Sequence, residues 1–224
     1  MKQNSLAVRM SGLGGQGVVT AAHIVGVAVV REGKFATVNP FFGAEKRLAP
    51  TESYVRISDE KIFERGEILY PDIIMIFHPH VITKGKCYTM PFYEGLKEEG
   101  TLIINADKPL TLSNEDTRNL VRLKAKVFYV SATSIAIDIV GTELSTNMAM
   151  LGALLGVTSV VSMDALRESL EERFGKKKFV ASATTAALDD AIKSKFAKTS
   201  QLVEKNMEVV KKAGKEVKKY LFEK

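Results

Sequence analysis

The chain has 224 residues, enough to bury one full core, and its 46% hydrophobic and 26% charged content excludes disorder. Its formal net charge of +6 is carried by the tail, where residues 176–224 hold 13 Lys and 6 acidic side chains, while the remaining 175 hold 19 basic and 20 acidic ones. That tail contains no Arg, so it lacks the character of a nucleic-acid surface and reads as a solvated helical face or a patch for an acidic protein partner. One cysteine, Cys87, cannot close an internal disulfide, which implies a reducing compartment. The longest apolar run, residues 18–30, contains Thr20 and His23 and is shorter than the roughly 20 residues of a membrane span, so a cytoplasmic protein with no membrane contact is expected.

In chain order, residues 6–10 form a short predicted strand, 11–17 a tight loop, and 18–32 a helix apolar on nearly every side, ended by Gly33. Residues 35–39 are a second strand, which Pro40 is expected to break. Residues 52–58 alternate polar and apolar side chains, as a half-buried strand does. Residues 73–77 are continuously apolar behind Asp72, the pattern of a central parallel strand. Residues 101–105 follow a predicted helix ending at Gly100, and 126–130 follow a polar helical stretch. From Ser131 onward only helices are predicted: 132–140, 148–155, 163–174, and a long one near the end. The expected fold is α/β, three-layered, with a mostly parallel sheet and a helical C-terminal extension. Residues 1–224 are expected to be a single domain, of which 176–224 is the Lys-rich extension. In the last helix Leu202, Asn206, Val209, Ala213, Val217 and Tyr220 recur at steps of three and four, an apolar stripe that packs on its own domain or on another subunit.

Gly12, Gly14 and Gly17 satisfy the G-x-G-x-x-G spacing between a strand and a helix, with Gly15 and Gln16 inside the turn. Glycines allow close backbone approach, and a helix start offers unpaired N–H groups to an anion. The same glycines also serve if strand and helix merely pack closely. Dinucleotide binding further wants an acid at the end of the second strand, and Asn39-Pro40 stands there, which weakens a nicotinamide assignment. The segment 40–50, Pro-Phe-Phe-Gly-Ala-Glu-Lys-Arg-Leu-Ala-Pro, is a loop suited to a ligand or an interface, its plainer form being a turn with the phenylalanines folded inward. His78, His80 and Cys87 lack a fourth ligand at structural-zinc spacing, so no metal site is expected. His23 is expected to be a core histidine, and Asp107, Glu115 and Asp116 to be helix-start or solvated residues. No Ser, His and Asp set is recognisable, and no catalytic residue is assigned.

The glycine motif at 12–18 together with the segment at 40–50 resembles the gamma subunit, or gamma domain, of 2-oxoacid:ferredoxin oxidoreductases. Residues 100–105 and 147–153 fall where that family has similar segments, so the resemblance covers about residues 6–175. The Phe-Phe-Gly form resembles the pyruvate type more than the 2-oxoglutarate type. The resemblance implies a subunit that is catalytic only within a complex, where a 2-oxo acid is oxidatively decarboxylated to an acyl-CoA and ferredoxin is reduced. It implies alpha, beta and delta partners, with thiamine diphosphate between alpha and beta and iron–sulfur clusters in beta and delta. The gamma unit itself would hold no cofactor and would lie near the path of coenzyme A, with Gly12, Gly14, Gly15, Gln16, Gly17 and Arg47 as contacts. A single cysteine agrees, since a cluster needs about four. The family has Gly after the arginine where this chain has Leu48. A bulky residue adopts a positive φ only at a cost, which predicts an altered loop. The rival classes are a stand-alone nucleotide-dependent oxidoreductase and a noncatalytic scaffold.

Overall fold

A computed structural model describes the backbone of residues 5–43, 48–174 and 186–222. Its centre is a seven-stranded sheet in the order β2-β3-β1-β4-β5-β6-β7. The strands are β1 (Ser5–Leu13), β2 (Phe35–Phe42), β3 (Pro50–Ser58), β4 (Ile73–Ile76), β5 (Thr101–Asn105), β6 (Lys126–Val130) and β7 (Lys218–Tyr220). β1, β4, β5 and β6 pair in parallel, while β3 runs antiparallel to both β1 and β2, and β7 antiparallel to β6. Five strands therefore share one direction, and the sheet is mostly parallel.

Helices cover both faces unequally. On one face lie α1 (Val18–Arg31), α4 (Ala132–Val140), α5 (Thr146–Val157), α6 (Met163–Phe174) and α7 (Ala186–Glu216). On the other lie the single turn α2 (His80–Thr83), α3 (Asn114–Arg122) and a run of turns that buries Phe92, Tyr93 and Leu96. The start of α3 is written in its sequence: Ser113 caps it by accepting from Asp116 N at 3.0 Å, with Glu115 and Asp116 in the first turn. α5 has no amphipathic stripe because almost all of it is buried, between α4, α7 and α1.

Several expectations need correction. Pro40 does not end β2, which continues to Phe42; β2 is an edge strand, where a residue without an N–H leaves the β3 ladder intact. β3 is not half-buried, since both its faces are covered and Glu52 and Ser53 are fully enclosed. The helix expected before β5 is a series of turns. Gly95, at φ 72°, passes so close to Leu69 O that a Cβ there would stand 1.8 Å from it. The chain after Ser131 is not wholly helical, because β7 closes the sheet beyond α7. α7 packs on its own domain: Asn206, Val209 and Ala213 of the predicted stripe are buried, joined by Val203, Met207 and Val210. Leu202 stays exposed, and Tyr220 belongs to β7, with its ring 5.7 Å from that of Tyr129.

Candidate functional site

After β1 the chain turns to one side of the sheet and builds β2 and β3; β4 then continues on the other side. The C-terminal ends of β1 and β4 are thus a switch point, the place where open α/β sheets form a crevice. The glycine loop sits there. Leu13 N donates to Gln16 Oε1 at 3.0 Å, and Gln16 N donates to Leu13 O at 3.1 Å, so the Gln16 side chain closes the turn. Gly14 donates to Ala49 O at 2.8 Å and accepts from Leu48 N at 3.2 Å, extending the β1–β3 ladder one step.

The glycines have different duties. A Cβ on Gly12 would lie 2.7 Å from Val18 Cγ2 and 2.9 Å from Phe77 Cβ, and one on Gly17 would lie 2.4 Å from Asn147 Nδ2. Both positions are packing contacts. Gly17 also adopts φ 72° as it opens α1 without a side-chain cap. At Gly15, φ 97°, a Cβ would meet no atom within 4 Å, so this position faces open space. The N–H groups of Leu13, Gly14 and Gln16 are therefore consumed within the loop. By helix geometry Gly17, Val18, Val19 and Thr20 begin α1 with unpaired donors, the first helical bond being Ala21 N to Gly17 O. Arg47, with Glu45 and Lys46, lies outside the described residues.

Leu48 takes the costly conformation itself, while residues 44–47 before it lie outside the described residues. It adopts φ 58° and is 64% exposed, so a bulky residue sits in the left-handed region and its backbone is strained. Leu48→Gly should relieve that strain, raising stability by about 0.5–1 kcal/mol and the thermal midpoint by roughly 2 °C. Thermal denaturation followed by circular dichroism checks it, and a lower midpoint would show that the left-handed residue is not strained.

Phe41 and Phe42 are not folded inward. They are exposed at the end of β2, and the ring of Phe41 meets that of Tyr88 edge-on at 4.7 Å. His23 is exposed on α1 rather than sequestered in the core. His78 Nδ1 accepts from His80 N at 3.0 Å, and burial next to His80 lowers the His78 pKa, favouring neutral imidazole. Among the described residues no group of three or more His, Cys, Asp or Glu could hold a metal ion. A crevice of about 640 Å³ lies beyond the ends of β4 and β5, lined by His78, Asn105, Lys108 and Thr133 among others. Asp107 lines it too and accepts from Ser134 Oγ at 2.8 Å.

Sequence reasoning missed what lies beneath this end of the sheet. Glu52 is completely buried and accepts from Tyr54 Oη at 2.7 Å, from Tyr88 N and Thr89 N at 3.1 Å, and from Thr89 Oγ1 at 3.0 Å. Arg9, equally enclosed, donates through Nη2 to Phe92 O at 3.0 Å. Burial lowers the Arg9 pKa, and the Glu52 charge opposes that effect. The only hint in the sequence was an acid and an arginine at positions that should have alternated outward.

The described residues thus form an α/β unit whose glycine loop lies at the switch point of the sheet, the place where such sheets gather ligands. The family model for pyruvate ferredoxin/flavodoxin oxidoreductase matches residues 7–190, and the chain belongs to that family. It is 36% identical over 169 residues to the "Pyruvate/ketoisovalerate oxidoreductases common subunit gamma" of Thermococcus kodakarensis, covering 75% of this chain and 86% of that one. It is also 36% identical over 172 residues to "Pyruvate synthase subunit PorC" of Methanothermobacter marburgensis, covering 77% and 88%. In fold it is similar to pyruvate oxidoreductase subunit PORC of Thermotoga maritima, with a TM-score of 0.71 at 24% identity over 97% of this chain and 99% of that one. Among the described residues no helix is long and apolar enough to cross a membrane.

Proposed function

We propose that this chain, as a single gamma-type unit spanning residues 1–224, is the gamma subunit of a pyruvate-type 2-oxoacid:ferredoxin oxidoreductase. It works in the cytoplasm, and turnover requires the alpha, beta and delta subunits, which supply thiamine diphosphate and the iron–sulfur clusters. Ferredoxin takes the electrons through the complex. Its own contribution is to hold an anionic group of coenzyme A at the start of α1. The observation that carries this assignment is Gly15, open to solvent at the switch point beside the unpaired N–H groups of Gly17, Val18 and Val19. Those donors and the helix dipole favour negative charge. Arg47, in the separate segment 40–50, is proposed as a second, forked contact to phosphate.

The packing duties of Gly12 and Gly17 favour a second reading, in which the loop is purely structural and the chain is a scaffold. Gly15→Asp and Gly15→Asn separate the two. Both residues tolerate a positive φ and have the same shape, and they differ by one charge. In the reconstituted complex the aspartate should raise the apparent KM for coenzyme A about tenfold more than the asparagine. The KM for the 2-oxo acid should respond equally to both variants. Equal coenzyme A constants in folded, fully assembled complexes would leave the scaffold as the answer.

A further inference from the structure

Glu52 is an expensive residue to keep where it is. Enclosing a carboxylate and a guanidinium costs several kcal/mol each, and well-packed apolar side chains hold such a core at least as well. Stability alone does not account for the pair. Its four hydrogen bonds show where the energy goes: two fix the backbone of Tyr88 and Thr89, and one fixes the Thr89 hydroxyl. A packing contact cannot fix backbone direction in this way.

The segment so held is tied to the glycine-loop end of the sheet at three points. The Tyr88 ring rests edge-on against Phe41. The Tyr88 hydroxyl stands 3.1 Å from where a Cβ on Gly43 would be. Lys86 Nζ reaches Leu48 O at 3.5 Å, and Leu48 N in turn donates to Gly14 O. We propose that Glu52 is a positioning residue for the coenzyme end of the sheet. By holding the backbone of Tyr88 and Thr89, it sets residues 86–90 against Phe41 and the turn at 48–49. It thereby fixes the rim past which an anionic coenzyme reaches the start of α1. The inference rests on the proposed coenzyme role of the glycine loop.

Cys87 lies within the held segment and reports on it. It is partly buried, and burial together with the Glu52 charge pushes its thiol up to about 11. The test uses two double variants in the assembled complex, Arg9→Met with Glu52→Gln and Arg9→Met with Glu52→Met. Removing the guanidinium from both avoids an uncompensated buried charge. Glutamine keeps an acceptor for the two backbone N–H groups, and methionine fills the same volume without one. Both lack the carboxylate charge, so a difference between them reads position and not electrostatics.

The methionine variant should show an apparent KM for coenzyme A about tenfold above that of the glutamine variant, as expected for one or two lost hydrogen bonds, with a smaller fall in kcat. Alkylation of Cys87 by iodoacetamide, followed by mass spectrometry of its peptide, should be about tenfold faster in the methionine variant. Equal alkylation rates would show that Glu52 does not hold the segment and would overturn the inference. Faster alkylation with equal KM values would overturn it as well, because the segment would then be no part of the coenzyme rim. Gly15→Asp and Gly15→Asn in the same assay tell whether the reading beneath it falls too: if they still differ, only the role of Glu52 is lost.

Discussion

Gly152→Ala should destabilise the fold by about 3 kcal/mol and lower its thermal midpoint by roughly 6–12 °C. α5 and α7 approach closely enough that a Cβ on Gly152 would stand 2.2 Å from Val210 O and 2.8 Å from Val210 C. Backbone atoms of a packed helix cannot swing aside as a side chain can, so one helix must shift bodily. Gly156 is under the same constraint, 2.4 Å from Gly214 O. The reverse position is less tight, since a Cβ on Gly214 would come no nearer than 3.0 Å to Gly152 O. Helix propensity favours alanine by about 1 kcal/mol, so Gly214→Ala should be close to neutral. Paired thermal melts decide the matter: equal midpoints for the two variants would mean that the helices separate without cost.

Val209→Asp should be comparably severe, at about 4 kcal/mol, because Val209 is 0% exposed within the cluster that α7 shares with α5 and α4. Ionised, the new carboxylate would stand within an apolar cluster, and detaching α7 would expose the buried faces of α5 as well. Reversing Lys211 and Lys212 to Glu should stay within about 0.5 kcal/mol, since both lie toward the solvated side of the helix. Chemical denaturation gives the energies, and hydrogen exchange across 200–216 locates the damage. Rapid exchange of this helix in the unmodified complex would show that the stripe is not buried in solution.

The comparison between the two lysines and Val209 shows how far periodicity carries. The stripe at steps of three and four marked Asn206, Val209 and Ala213 correctly, because side-chain direction along a helix follows from its 3.6-residue turn. It could not say what the stripe faces. The answer is α5, whose Gly152 and Gly156 lie more than fifty residues away in sequence. Tyr220 failed for a related reason: the pattern was extended past the point where Lys218 leaves the helix for β7, whereas Leu202 lies inside α7 and is 37% exposed at the margin of the stripe.

The same division runs through the site. Sequence alone determined the alternation of strands and helices, the strand–glycine–helix opening at 12–18 and, through two loops together, the family resemblance. These are properties of short stretches whose backbone geometry is set by neighbouring residues. Tertiary structure decided the rest. Pro40 remains in a strand because β2 lies at the sheet edge, a fact of strand order and not of the local sequence. Leu48 is held at a positive φ by a ladder that begins at Leu13 and Pro50. Gly14 gives its N–H to Ala49 rather than to a ligand for the same reason. Glu52 and Arg9 become an enclosed pair because β1 and β3 meet and the segment around Tyr88 folds over them. Burial depends on contacts between residues tens of positions apart, and local residue patterns carry no record of such contacts.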